Sequence, residues 1–373
     1  MITSKIKESP KSILLLGPRQ VGKSTLIKQL KCDLRIDLAD EKTFFDFNQD
    51  VDRFRQIIEE STAKTVFVDE IQRIPRLLNT IQSIVDDKKI KFYITGSSAR
   101  KLKRGKANLL PGRVFTYYLG PLAACELNYD LNEKKALELG SLPEVYLLSN
   151  RKHCEKLLES YSAIYLKEEI QAEALTRNLD GFVRFLSVAA EKVGKSLDFS
   201  KVAKEAKIER RNCSKYFEIL EDTMIGYRIE VYDSTGADIV KRPRFYFFDN
   251  GVLNGLVNNF SATRDWRGIL LENLFLSQLK AAAFAKDLKI RISYFRTRGG
   301  YEVDFVVELG NEIIAVEVKL GQVSPKDATK LRRFQDYEPS CKRLFILCFE
   351  KHPRSIHKVK VGNINYVLKS IGL

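Results

Sequence analysis

Residues Gly17-Pro18-Arg19-Gln20-Val21-Gly22-Lys23-Ser24 constrain what this chain can fold into more than any other stretch: they form a GxxxxGK[ST] octet. An apolar run ending at Leu16 precedes it, and Leu26, Ile27 and Leu30 follow on one helical face. Apolar run, glycine-containing turn and helical period, in that order, predict a buried strand feeding a helix. Gly17 and Gly22 let the backbone curl so that successive N–H groups face phosphates, with the positive end of the next helix beneath them. The nucleotide-binding residues expected on this basis are Gly17, Pro18, Gln20, Val21, Gly22, Lys23, Ser24 and Thr25. Lys23 supplies a mobile charge for the β and γ phosphates, and Ser24 a hydroxyl for Mg²⁺.

A second apolar run, Val66-Phe67-Val68, ends in Asp69 and Glu70. At the edge of a sheet shared with the octet, Asp69 would hold Mg²⁺ and Glu70 would polarise an attacking water. A third run ends in "ITGSSAR", where Thr95, Ser97 or Ser98 can reach the γ-phosphate or the water; a turn of small polar residues is the equal alternative. Helical patterns at "VDRFRQIIEE" and "LLNTIQSIVDD" lie between the runs, so strands alternate with helices as in a parallel α/β sheet. Arg113, after the cationic "ARKLKRGK", is a candidate to complete a neighbour's site in trans; on spacing alone a solvated arginine fits equally.

A length of 373 residues exceeds what one core organises, so several domains are expected. We divide the chain into residues 1–120, an ATPase core; 121–178, a helical lid without a strand; 179–250; and 251–373, a second α/β unit. Segment 179–250 carries three helical patterns, then "GYRIEVY" and "RPRFYFFD", the order of a winged helix-turn-helix. A net charge of +15 points to a polyanionic partner, DNA above all. Lys207, Arg210, Arg211 and Lys215 at the third helix, with Lys241 to Arg244 at the hairpin tip, are candidate phosphate contacts. No aromatic residues interleave these clusters, so duplex or branched DNA is preferred. Six scattered cysteines and three histidines lack zinc-ligand spacing, and no apolar segment approaches membrane-spanning length. The chain reads as reduced and cytoplasmic, with no membrane partner.

Taken in order, "GPRQVGKSTL", "TVFVDEIQRIPRLLNTIQSIVDD", "FYITGSSARKL", "LLPGRVFTYYLGPLAACEL", "GSLPEV" and "KYFEILEDTMIGYRIEVY" with "RPRFYFFDNGVLNGL" resemble the AAA-type ATPases of bacteria and archaea that carry a C-terminal DUF4143 domain. The resemblance implies an AAA+ P-loop core of the ASCE type, a winged helix and a C-terminal region similar to PD-(D/E)XK nucleases. Lys23, Ser24, Asp69 and Glu70 then take the roles given above. For the nuclease-like region it implies Glu272 on a helix, Asp304 on a strand, and Glu317 with Lys319 on the next strand. Glu-x-Lys puts both side chains on one strand face. Asp304 and Glu317 would share Mg²⁺ or Mn²⁺, and Lys319 would activate water. Glu302 and Glu312 show that acids are ordinary on these strands, so a solvated face is the competing reading.

The function expected is a DNA-binding ATPase, a homo-oligomer such as a hexamer, coupling ATP hydrolysis to DNA remodelling, branch migration or translocation, with Mg²⁺-dependent cleavage as an added activity. The alternative is a nucleotide-controlled DNA or protein sensor whose nuclease-like part is an inactive scaffold.

Overall fold

Five strands build the first sheet of the computed structural model, which describes residues 2–97, 110–162, 179–233, 238–239 and 241–373. The strands are β1 (Ser12–Leu16), β2 (Leu34–Asp37), β3 (Thr65–Asp69), β4 (Lys91–Gly96) and β5 (Val114–Tyr118), in the order β2-β3-β4-β1-β5 and parallel throughout. β1, β3 and β4 are buried along nearly their whole length, as strands covered on both faces must be. β2 and β5 are the edges; they are only partly buried and lack a continuous apolar run, which is why periodicity does not reveal them. The helices Val51–Glu60 and Leu77–Asp87 fall on the expected segments. Asp50 caps the first by accepting from the N–H groups of Asp52 and Arg53, and Phe54 and Ile58, one turn apart, are buried.

Contacts divide the chain into two units: Met1–Gly120 with Asp222–Ile225 and Phe284–Asp287, and Pro121–Glu221 with Gly226–Ala283 and Leu288–Leu373. The segment read as a lid therefore packs with the C-terminal part of the chain. Its helices Glu133–Leu139 and Arg151–Ser160 both lie against helix Asn250–Leu256; residues 163–178 lie outside the described residues.

In the second unit the three helices Leu179–Glu191, Phe199–Glu205 and Arg210–Asp222 occur where the patterns place them. They are bound by aromatic contacts, Phe182 to Tyr216 at 5.0 Å and Phe185 to Phe217 at 4.8 Å. The hairpin that follows, β6 (Gly226–Val231) and β7 (Arg244–Phe247), extends a sheet: β6 runs parallel to β8 (Ile290–Arg296). With β9 (Glu302–Leu309), β10 (Glu312–Val318), β11 (Arg343–Leu347), β12 (Arg354–Ile356) and β13 (Val359–Gly362), the order is β12-β13-β11-β10-β9-β8-β6-β7.

The reading of Lys241 to Arg244 as an exposed tip requires correction at its last residue. Arg244 opens β7 and is 5% exposed, so it is withdrawn from any nucleic acid. The physical reason is the pleat: Arg244 alternates with buried Phe245 and shares a face with Tyr246, which turns both toward the carboxylates of the same unit. Among the described residues no helix is long and apolar enough to cross a membrane.

Candidate functional site

At the C-terminal edge of the first sheet, parallel register aligns the ends of three strands: Leu16 pairs with Gly96 and Leu15 with Thr95, while Val68, before Asp69, pairs with Ile94. The loop Gly17 to Gly22 leaves β1 here. Gly22 has φ of 91°, a left-handed conformation that suits glycine. A Cβ on Gly17 would lie 2.2 Å from the carbonyl oxygen of Leu119, so the close approach of these backbones requires glycine. Val21 is buried, which leaves its backbone as the part available to a ligand; Gln20 and Thr25 are exposed. Lys23 is folded into the loop, donating to the carbonyl oxygens of Gly17 at 2.9 Å and Pro18 at 2.8 Å.

Ser24 and Asp69 come together as expected: Ser24 Oγ donates to Asp69 Oδ1 at 3.0 Å. Thr95 Oγ1 donates to the same carboxylate oxygen and accepts the Glu70 N–H at 3.2 Å. Thr95 thus orients the two acids. A hydroxyl and a carboxylate oxygen converging on one point suit a hard cation such as Mg²⁺, with phosphate oxygens completing its shell. Glu70 has φ of 58°, and its carboxylate accepts from Gln72 Nε2. Gln72 also donates to Ser97 Oγ at 2.8 Å and accepts the Ser97 N–H at 3.2 Å. Sequence reasoning missed this amide; its signal was its place two residues beyond Glu70. Ser98 lies outside the described residues.

Arg113 lies at the other end. It precedes Val114, which pairs with Ser12 at the start of β1. A five-residue strand therefore separates it from its own phosphate loop, a span of about 17 Å at ~3.3 Å per residue. Arg113 makes a two-point contact with Asp86, Nε to Oδ1 at 2.8 Å and Nη2 to Oδ2 at 2.9 Å. A cleft of about 500 Å³ is lined here by Lys11, Lys88, Lys89, Lys91 and Arg113 among others.

In the second unit β9 and β10 are antiparallel, with Phe305 opposite Val316; one step further sets Asp304 against Glu317. Lys319 Nζ lies 3.2 Å from Glu317 Oε1, as a shared strand face predicts. Glu272, on helix Arg264–Lys286, accepts from the Tyr246 hydroxyl at 3.2 Å. Burial, moderated by Arg244, pushes its carboxyl up to about 7. Burial, then Glu272 and Glu317, raise Asp304 well above the carboxylate range. For Lys319, burial pulls downward but Glu317 and Asp327 outweigh it, and the net shift is upward. The cluster favours fewer negative charges than its number of acids. Two basic groups join the cluster, Lys330, which the sequence reading missed, and Arg244, which it assigned to the hairpin tip. Lys330 Nζ lies 3.5 Å from Glu317 Oε1, and Arg244 donates to Glu302 with its other nitrogen 3.9 Å from Asp304 Oδ1. Arg244 and Tyr246, two apart in a strand, were the available signal.

Asp304 and Glu317, the two acids expected to share a metal ion, are set opposite each other with Arg244, Lys319 and Lys330 beside them; among the described residues no group of three or more His, Cys, Asp or Glu side chains is arranged as a metal site.

Comparison with known proteins agrees with the first sheet. An AAA domain model matches residues 9–128, a domain of unknown function, DUF8612, matches residues 132–263, and a second, DUF4143, matches residues 267–367. The chain is 26% identical over 339 residues to an uncharacterized protein of Haemophilus influenzae, covering 82% of this chain and 81% of that one. It is 23% identical over 323 residues to an uncharacterized protein of Mycobacterium tuberculosis, covering 82% and 70% respectively. Among solved structures, a replication initiator, DnaA, bound to AMPPCP and single-stranded DNA, aligns at a TM-score of 0.26 and 11% identity, over 59% of this chain and 86% of that one.

Proposed function

Because the chain carries an AAA domain and a DUF4143 domain, we propose that it is an ATPase whose nucleotide state governs its grip on DNA. The observation that carries the reading is the convergence of Ser24, Asp69, Thr95 and a Gln72-held Glu70 beside the loop of Lys23. Lys23 exchanges its contacts with the Gly17 and Pro18 carbonyls for the β and γ phosphates. Ser24 and Asp69 would hold Mg²⁺, which would supply positive charge to the phosphates when bound. Glu70 orients the attacking water and takes up its proton.

Arg113 is too far from its own phosphate loop to act there, so its role belongs in trans, within a homo-oligomer such as a hexamer. DNA is the partner that the charge favours. Lys207, Arg210, Arg211 and Lys215 are exposed along one helix and its approach, suited to duplex or branched DNA through phosphates. Coupling of hydrolysis to remodelling, branch migration or translocation follows if DNA accelerates turnover; an unaltered rate favours the sensor reading. Metal-dependent cleavage is not part of this proposal, since Arg244, Lys319 and Lys330 already place positive charge beside Asp304 and Glu317.

The test is ATP turnover and nucleotide binding by the full chain and by Lys23→Ala. The variant is expected to lose turnover, and full activity in it would refute the site.

A further inference from the structure

Four carboxylates, Glu272, Glu302, Asp304 and Glu317, gather on helix Arg264–Lys286, β9 and β10, and a permanent cation already stands among them. Arg244 is 5% exposed. Its guanidinium donates to Glu302, lies 3.9 Å from Asp304 Oδ1 and stacks 4.3 Å from the Tyr294 ring centroid. One oxygen of each of the other three acids is also engaged. Asp304 Oδ2 accepts the Val318 N–H at 2.8 Å, Glu317 Oε1 faces Lys319 and Lys330, and Glu272 Oε2 faces the Tyr246 hydroxyl. Arg296 Nε lies 3.6 Å from Glu302 Oε2.

Mg²⁺ requires carboxylate oxygens free to approach to roughly 2.0–2.1 Å in near-octahedral geometry. Here one oxygen each of Glu272, Asp304 and Glu317 faces a protein donor, and Arg244, 3.9 Å from Asp304 Oδ1, sets a fixed positive charge where a dication would have to approach. A guanidinium cannot be deprotonated in a protein, and it balances buried acids without a cofactor, as buried carboxylates demand. Its planar face, stacked on Tyr294, limits where it can move.

We propose that Arg244 is the resident cation of this cluster, standing where a divalent ion would otherwise balance Asp304 and its neighbours. The C-terminal domain is then a metal-independent scaffold, and Arg244 has a task unrelated to DNA. The arginine ties β7 to β9 across the sheet and closes the site that Asp304, Glu317 and Lys319 would form in a nuclease. This inference is independent of the ATPase reading, since it concerns a different unit and is tested without nucleotide.

The experiment is Mn²⁺ titration of the full chain carrying Lys23→Ala, without nucleotide, followed by electron paramagnetic resonance and by thermal unfolding, beside the same chain with Asp304→Asn. The two are expected to bind Mn²⁺ alike, and EDTA is expected to leave the melting temperature unchanged. Micromolar Mn²⁺ binding that Asp304→Asn abolishes would overturn the proposal. Arg244→Gln, which removes the cation, is expected to acquire one Mn²⁺ that Asp304→Asn removes. A folded Arg244→Gln chain that binds none would equally overturn it. Should that variant not fold, the comparison with Asp304→Asn still decides.

Discussion

At the scale of single residues, the geometry around Glu70 distinguishes the group that handles water from the group that holds it in place. Glu70→Gln keeps the shape but cannot accept a proton, and is expected to lower turnover by roughly 10²–10⁴-fold with nucleotide binding intact; equal loss of binding would show that Glu70 is structural. Gln72 is buried and bridges Glu70 to Ser97 just beyond the end of β4. Misplacing a reacting group by about 1 Å costs on the order of 10²-fold, so Gln72→Ala is expected to reduce kcat while leaving KM near its original value. Steady-state kinetics separates the two parameters, and a change in KM alone would count against a positioning role.

At the scale of elements, Asp249 joins two of them. It caps helix Asn250–Leu256, accepting from the Gly251 and Val252 N–H groups, and accepts from Ser141 N–H at 2.7 Å in the turn after Gly140. Gly140 has φ of 75°, and a Cβ there would lie 2.1 Å from Asp249 Oδ1, so the turn and the cap require each other. Burial pushes the Asp249 carboxyl up to about 6 from its ordinary 3.8, against the pull of these N–H donors. Between those values the unfolded chain binds fewer protons than the folded one. Stability therefore falls as pH rises through that window and is level above it, a change of about 3 kcal/mol at ~1.4 kcal/mol per unit. Asp249→Asn cannot ionise and is expected to flatten this slope in urea unfolding. It also meets the Ser141 N–H with an amide, a cost of about 1–2 kcal/mol that is expected to show below pH 3.8, where Asp249 is protonated in both states. An unchanged slope would assign the pH dependence elsewhere.

At the scale of the whole molecule, two proposals need more than one site. If Arg113 serves a neighbouring copy, Arg113→Ala and Lys23→Ala are each inactive, yet a mixture recovers part of the turnover, because some contacts pair an intact arginine with an intact loop. Absence of recovery in mixed oligomers would remove the trans role. If the helix Arg210–Asp222 grips phosphates, replacing Arg210, Arg211 and Lys215 with alanine should reduce the salt slope of duplex binding by about 0.9 per lost contact. Fluorescence anisotropy across salt concentrations measures this, and an unchanged slope would place the DNA surface elsewhere.

Much of the fold was legible because its signals are local. Buried strands β1, β3 and β4 announce themselves as apolar runs, and the helices by their period. Lys23, Ser24, Asp69 and Glu70 are close to their function in sequence, since one loop and one strand end carry them. Edge strands β2 and β5 have no such signal, and the union of segment 121–160 with the C-terminal part depends on helix packing between distant residues. What the sequence determined by itself was therefore the phosphate loop, its acidic complement and the placement of Asp304 and Glu317 on two successive strands. Only the tertiary structure decided that Arg113 lies a strand's length from its own loop, that Gln72 holds Glu70, and that Arg244 points into the acids rather than out toward DNA. The reason is physical: a charge is read in sequence by its type, but its role is set by which groups the fold brings within a few ångströms and how far water is excluded from them.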